Sequence, residues 1–173
     1  MVLFVGTHER QLDEKGRLAL PASFRTHLGE HCYLVFGDDQ CVNVIPSAEF
    51  ETMAHQLVAR VERGEVSRQR QRAVASSASM VAVDKQGRVM VDDKLRAYAD
   101  LTTESRVIVT GNFTKIEIWS PQRFARINEE GTSDLAGETQ LGTTDSTTDS
   151  TTDSTKQQKE DRGQTTPMTA PRP

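Results

Sequence analysis

Apolar and polar positions alternate with period two on both sides of a short polar signature, and this happens twice. Leu12 precedes Asp13-Glu14-Lys15-Gly16-Arg17, and Leu18 and Leu20 follow it; Val81 and Val83 precede Asp84-Lys85-Gln86-Gly87-Arg88, and Val89 and Val91 follow it. Alternation around a tight turn predicts a β-hairpin. The aspartate can cap its own turn and the glycine supplies a φ > 0 position. A short helix comes next in each case. Pro21 leads into 22–28, closed by Gly29, and Asp92 or Asp93 caps 94–101. Two more strands complete each unit: 32–36 with 41–45, and 106–110 with 115–119. They are joined by the turns Gly37-Asp38-Asp39-Gln40 and Gly111-Asn112-Phe113-Thr114.

The order β-β-α-β-β is therefore written twice. Residues 12–20 return as 83–91 at a lag of 71, and the same lag carries Phe24-Arg25 onto Leu95-Arg96. The lag then becomes 74, placing Gly37 on Gly111, Val44-Ile45 on Ile118-Trp119 and Phe50 on Phe124. Four short strands cannot bury their faces alone, so the two copies are expected to interlock. The fold class is α+β, mainly β, with modules at 7–49 and 78–123. A helical linker over 50–77 separates them. There Phe50, Met53, Ala54, Leu57, Val58 and Val61 form one apolar stripe, Gly64 breaks the helix, and a second helix covers about 66–76.

Past Glu130 the pattern stops. Residues 131–173 hold five apolar side chains (Leu135, Ala136, Leu141, Met168, Ala170) and no aromatic, and 143–154 is three tandem copies of Thr-Thr-Asp-Ser. Such a stretch cannot offset its chain entropy and is expected to be disordered. The remaining 130 or so residues are enough for a core.

Charge narrows the choice of partners. The chain carries −4, of which the 131–173 tail supplies −3, leaving about −1 for the folded part. Nucleic-acid binders are ordinarily basic, so a role on DNA has to rest on local placement of charge. No apolar run approaches the ~18–20 residues of a membrane span, and 1–5 is too short for a signal-peptide core. Two cysteines, Cys32 and Cys41, are too few for a disulfide scaffold, which points to a reducing cytoplasm.

Candidate chemistry concentrates in the paired signatures. In a hairpin Arg17 points away from Leu18 and Leu20, and Arg88 away from Val89 and Val91. Two arginines on an exposed face beside a turn can take phosphates or a guanine edge bidentately. Equally, they can form salt bridges with Asp13 and Asp84, four residues back. Lys15 and Lys85 add point charge from different slots of the repeat. The linker is a second basic element, with Arg60, Arg63, Arg68, Arg70 and Arg72 against Glu62 and Glu65; it reads first as a solvated face or subunit contact.

Other chemistry is weakly supported. His27, His31 and Cys32 have a spacing open to zinc, but Gly29 interrupts the helix and no fourth ligand is near. Cys41 is expected opposite Phe36, and Cys32 opposite Ile45, so no disulfide forms. Phosphate-loop, Gly-x-Ser-x-Gly and His-Glu-x-x-His patterns are missing. Glu49, Glu51 and Glu117 read as surface groups. Neither an enzyme nor a cofactor is expected.

Gly6-Thr7-His8 and residues 12–25, followed by Asp84-x-x-Gly87-Arg88 and Ile116-Glu117-Ile118-Trp119, resemble the MraZ family. These are bacterial transcriptional regulators built from two SpoVT-AbrB modules, and the resemblance covers about 1–127. It implies an AbrB-like β-barrel of swapped hairpins and assembly into a homo-oligomeric ring. It also implies binding of double-stranded DNA at promoter repeats upstream of the division and cell-wall gene cluster, hence a nucleoid-associated protein of the cytoplasm. The family's Asp-x-x-x-Arg pair falls on Asp13/Arg17 and Asp84/Arg88. On that footing Arg17 and Arg88 contact DNA and Lys15 and Lys85 meet phosphates, while Asp13, Gly16, Asp84 and Gly87 shape the turns. A ring multiplies a weakly basic face, so multivalency replaces high charge per chain. Val2-Leu3, Asp92 in place of a common proline, and the acidic tail depart from the family pattern. The tail is either a solubilising appendage or a competitor for the basic face. Two other classes remain open: a structural or interaction protein in which the repeats serve assembly, and an antitoxin-like partner binder.

Overall fold

In a computed structural model, which describes residues 3–141, the first copy contributes β1 (Thr7–Gln11), β2 (Arg17–Ala19), α1 (Ala22–Leu28), β3 (His31–Phe36) and β4 (Val42–Pro46). Helices α2 (Ser47–Glu62) and α3 (Arg68–Ser77) follow. The second copy supplies β5 (Ser79–Ala82), β6 (Arg88–Met90), α4 (Asp93–Ala99), β7 (Arg106–Asn112) and β8 (Lys115–Trp119), and α5 (Pro121–Leu141) runs out from β8. Each element expected from the sequence is present. Pro21 stands at the start of α1, and the Asp92 carboxylate caps α4 by accepting from Leu95 N at 2.9 Å. Among the described residues no helix is long and apolar enough to cross a membrane.

The pairing of strands differs from the hairpin expectation. Asp13 N donates to the Arg17 carbonyl at 2.9 Å and Asp84 N to that of Arg88 at 2.9 Å, so both turns close. Beyond the turn, however, no ladder joins β1 to β2 among the described residues, and the two arms share only the isolated bridge between Leu12, just past β1, and Leu18. β1 runs antiparallel to β7 of the other copy, and β2 to β6. Alternation fixes which face a strand buries and leaves open which neighbour it joins. The five-residue ladder offered by β7 outweighs the one bridge offered within the copy.

The result is a six-stranded antiparallel sheet, β1-β7-β8-β4-β3-β5, and a two-stranded ribbon, β2-β6. The ladders β3–β4 and β7–β8 stay within a copy; β1–β7, β4–β8, β3–β5 and β2–β6 cross between copies. Two of the crossing ladders place repeat mates face to face: Leu18 opposite Val89, and Asn43 opposite Glu117. The interior lies between one face of the sheet (Leu34, Val44, Val109, Ile116, Ile118) and the ribbon with α1 and α4 (Leu18, Val89, Phe24, Leu95). On the opposite sheet face Tyr33 stacks on the α2 residue Phe50 with ring centroids 4.1 Å apart, and Trp119 meets Phe124 of α5 at 6.3 Å.

Three local expectations are corrected. Phe36 pairs with Val42 and Cys32 with Pro46, one residue away from the expected register. The turn uses three residues, Asp38–Gln40, as a 3₁₀ turn in which Asp39 and Gln40 take φ of 55° and 60°. Both cysteines are free and buried. Glu117 is not a surface group. It is buried, and accepts from Asn112 Nδ2 at 2.8 Å and Trp119 Nε1 at 3.3 Å beside Lys115 Nζ at 3.0 Å, which compensates its loss of water. Finally, helix α5 continues through Gly131 to Leu141, so the first part of the expected disordered stretch is helical. Phe124 and Ile127 begin an apolar stripe on α5, and Leu135 extends it beyond the expected break. Residues 142–173, including the Thr-Thr-Asp-Ser copies, lie outside the described residues.

Candidate nucleic-acid interface

One carboxylate organises each turn. Asp13 Oδ1 accepts from Lys15 N (3.0 Å) and Arg17 N (2.8 Å), and Oδ2 accepts from Arg17 Nε at 2.7 Å. Asp84 repeats the pattern with Gln86 N (2.8 Å), Arg88 N (2.9 Å) and Arg88 Nε (2.8 Å). The backbone N–H of Arg17 is the main reason that Asp13 ionises below its ordinary range, and that of Arg88 acts in the same way on Asp84. A carboxyl depressed in the folded state stabilises the fold above its unfolded pKa of about 4 and loses that contribution as pH falls through the folded value. The Asp13→Asn/Asp84→Asn protein should therefore show a flatter decline in urea midpoint below about pH 4 than the parent. Parallel declines would contradict this account of the turns.

The glycine positions are constrained from two sides. Gly16 and Gly87 have φ of 76° and 75°, the region that disfavours a side chain. A Cβ on Gly16 would lie 2.0 Å from Arg96 Nη1, and one on Gly87 would lie 1.9 Å from Arg25 Cδ. In each case the obstructing arginine belongs to the other copy. The carbonyls are held across copies too, with Leu20 N donating to Gly87 O at 3.0 Å and Val91 N to Gly16 O at 2.9 Å.

The ribbon brings the two signatures side by side. Arg17 pairs with Met90 and Ala19 with Arg88, so these four share the face opposite Leu18 and Val89. Ala19 and Met90 are exposed, and the Arg17 and Arg88 side chains keep 31% and 26% of their surface. Arg88 Nη1 lies 4.0 Å from Asp13 Oδ2, so charge alternates across the junction. Lys15 and Lys85 are exposed in their loops. Of the two roles the sequence left open for the arginines, the ion pair with Asp13 and Asp84 is the one present in the structure. Nε is the donor in both pairs. Among the described residues no hydrogen bond engages the Nη groups of Arg17 or Arg88.

The remaining candidates do not converge. His27 and His31 are exposed while Cys32 faces the core, its thiol pushed up to about 12 by burial. Burial likewise pushes Cys41 up to about 12. In the linker Arg60 and Arg63 pair with Glu65, and Arg70 pairs with Asp38, tying α3 to the β3–β4 turn; Arg68 and Arg72 are exposed. Arg25 and Arg96 were not singled out as site residues from sequence. Their recurrence at the lag of the signatures themselves was the available signal.

Comparison with known proteins adds three observations. The family model described as "MraZ protein, putative antitoxin-like" matches twice, over residues 3–72 and 74–142. A "Transcriptional regulator MraZ" of Cutibacterium acnes is 38% identical over 140 residues, covering 77% of this chain and 94% of that protein. Proteins of the same description from Saccharopolyspora erythraea (38% over 134 residues; 78% and 92%) and Frankia alni (36% over 143 residues; 81% and 99%) are similar to the same extent.

Proposed function

The chain belongs to the MraZ family, and from that membership we propose that it is a sequence-specific, DNA-binding transcriptional regulator and not an enzyme. It acts as a ring-shaped homo-oligomer on repeated sites upstream of the division and cell-wall gene cluster, in the cytoplasm and associated with the nucleoid. Residues 7–49 and 78–123 are its two SpoVT-AbrB modules, joined by the 50–77 linker. Arg17 and Arg88 are the DNA-contacting groups, Lys15 and Lys85 meet phosphates, and Asp13, Gly16, Asp84 and Gly87 shape the loops.

The observation that carries this reading is the juxtaposition of both Asp-x-x-Gly-Arg loops on one face by the β2–β6 ladder. A two-stranded ribbon fits the major groove. The loops present Lys15, Arg17, Lys85 and Arg88 against Asp13, Glu14 and Asp84, a small local excess of positive charge. One such face binds weakly; several in a ring, matched to repeated sites, bind together. Exposed Leu3, Val5 and Phe113, gathered by the Phe4–Phe113 bridge, offer apolar surface for subunit contact.

Titration of a duplex from the gene's own upstream region against a scrambled duplex, at two salt concentrations, tests the proposal. The upstream duplex should bind roughly 10³-fold or more tightly, and both affinities should fall with salt as counterions are released. Equal affinity for the two duplexes would leave assembly or protein-partner binding as the role of the repeats.

A further inference from the structure

We propose that Arg25 and Arg96 are positioning residues that act across copies, each setting the loop of the module to which it does not belong. The inference rests on the DNA-binding reading for its functional consequence, but its geometry stands independently. Segment 20–25 grips Gly87 twice: Leu20 N holds the Gly87 carbonyl at 3.0 Å, and the Arg25 side chain lies against the Gly87 Cα where a Cβ would stand. Arg25 Nη1 also donates to the neighbouring Gln86 carbonyl at 3.0 Å. Segment 91–96 treats Gly16 in the same way, through Val91 N at 2.9 Å and the Arg96 guanidinium. Arg96 is itself anchored by an ion pair with Asp93, and its side chain is only 16% exposed.

The arrangement occurs twice, at the lag of the repeat, which excludes an accident of one loop. It also gives the arginines a task other than meeting a ligand. A φ > 0 glycine can move through a wide range of backbone angles when nothing covers it. Covering its Cα face while bonding its carbonyl leaves one conformation, the one in which the aspartate reaches the backbone N–H groups two and four residues on. Arg88 is thus held in place by its own Asp84 and, at one remove, by Arg25; Arg17 by Asp13 and, at one remove, by Arg96.

The test is a set of cross-copy double mutants of the full chain. Arg25→Ala should weaken binding to the upstream duplex about tenfold, within the range set by one misplaced arginine. In an Arg88→Ala background it should cost less than about twofold more, and in an Arg17→Ala background the full factor should persist. Arg96→Ala should show the mirror image. Additive losses in both backgrounds, as a direct phosphate contact or a general fold defect would give, overturn the proposal.

A second measurement needs no DNA, so it separates failure of this proposal from failure of the DNA-binding reading. In NMR titration of the side-chain carboxyls, Arg25→Ala should raise the Asp84 midpoint and leave Asp13 in place, while Arg96→Ala does the reverse. Lysine at position 25 or 96 retains an aliphatic stem and a donor, and should restore the parent midpoint. Equal movement of both aspartates, or movement of neither, overturns the proposal.

Discussion

Replacing Arg17 and Arg88 together by alanine should lower affinity for the upstream duplex by roughly 30-fold or more. Each arginine that reads a base edge contributes about 1–3 kcal/mol, and the salt dependence should also become shallower where phosphates are lost. The ion pairs do not argue against this. A guanidinium has five donors, and each Asp carboxylate takes Nε. Although Arg88 Nη1 lies 4.0 Å from Asp13 Oδ2, no hydrogen bond among the described residues uses the Nη groups of Arg17 or Arg88, so those donors are left for a ligand. On the proposed DNA-binding reading, the aspartate holds those donors in one orientation before DNA arrives, which would reduce the entropy lost on binding. Stability should barely move, since solvent-screened surface ion pairs of this kind contribute little. A gel-shift series beside thermal melts distinguishes the two quantities. Unchanged affinity in the double mutant would assign Arg17 and Arg88 to loop structure alone.

The sequence made the order of elements legible because that order is carried by short-range signals. Pro21 and Gly29 bound α1, Asp92 caps α4, and the apolar stripe from Phe50 to Val61 marks α2. The repeat made the symmetry legible as well. Partners were harder to read, because nothing local to 7–19 says that β1 will leave β2 for β7. The register of β3 and β4 depended on whether the turn at Asp38 uses two residues or three, and positive φ at Asp39 and Gln40 is not signalled by a glycine. In the site, Asp13, Gly16 and Arg17 with their mates were legible from the signature. The contribution of Arg25 and Arg96 was not, since it arises only when one copy folds over the loop of the other. Glu117 was misread for a similar reason: its compensating donors, Asn112 and Trp119, lie on a sheet face that α5 then covers.

Interlocking has a thermodynamic consequence that a single core truncation can expose. Leu18→Ala should cost about 3 kcal/mol, in the usual range for a buried leucine and a large share of the ~5–15 kcal/mol that holds a domain folded. Leu18 is fully buried and faces its repeat mate Val89 across the ribbon. If each copy were a separate folding unit, the loss would fall on residues of the first copy. Four of the six ladders among the described residues cross between copies, however, so neither half can open without breaking ladders to the other. Urea unfolding of the variant should accordingly remain a single transition. Native-state hydrogen exchange should accelerate to a similar extent at the amides of β7 in the second copy and of β3 in the first. Acceleration confined to β3 and β4 would mean that the two copies unfold independently in spite of their shared sheet.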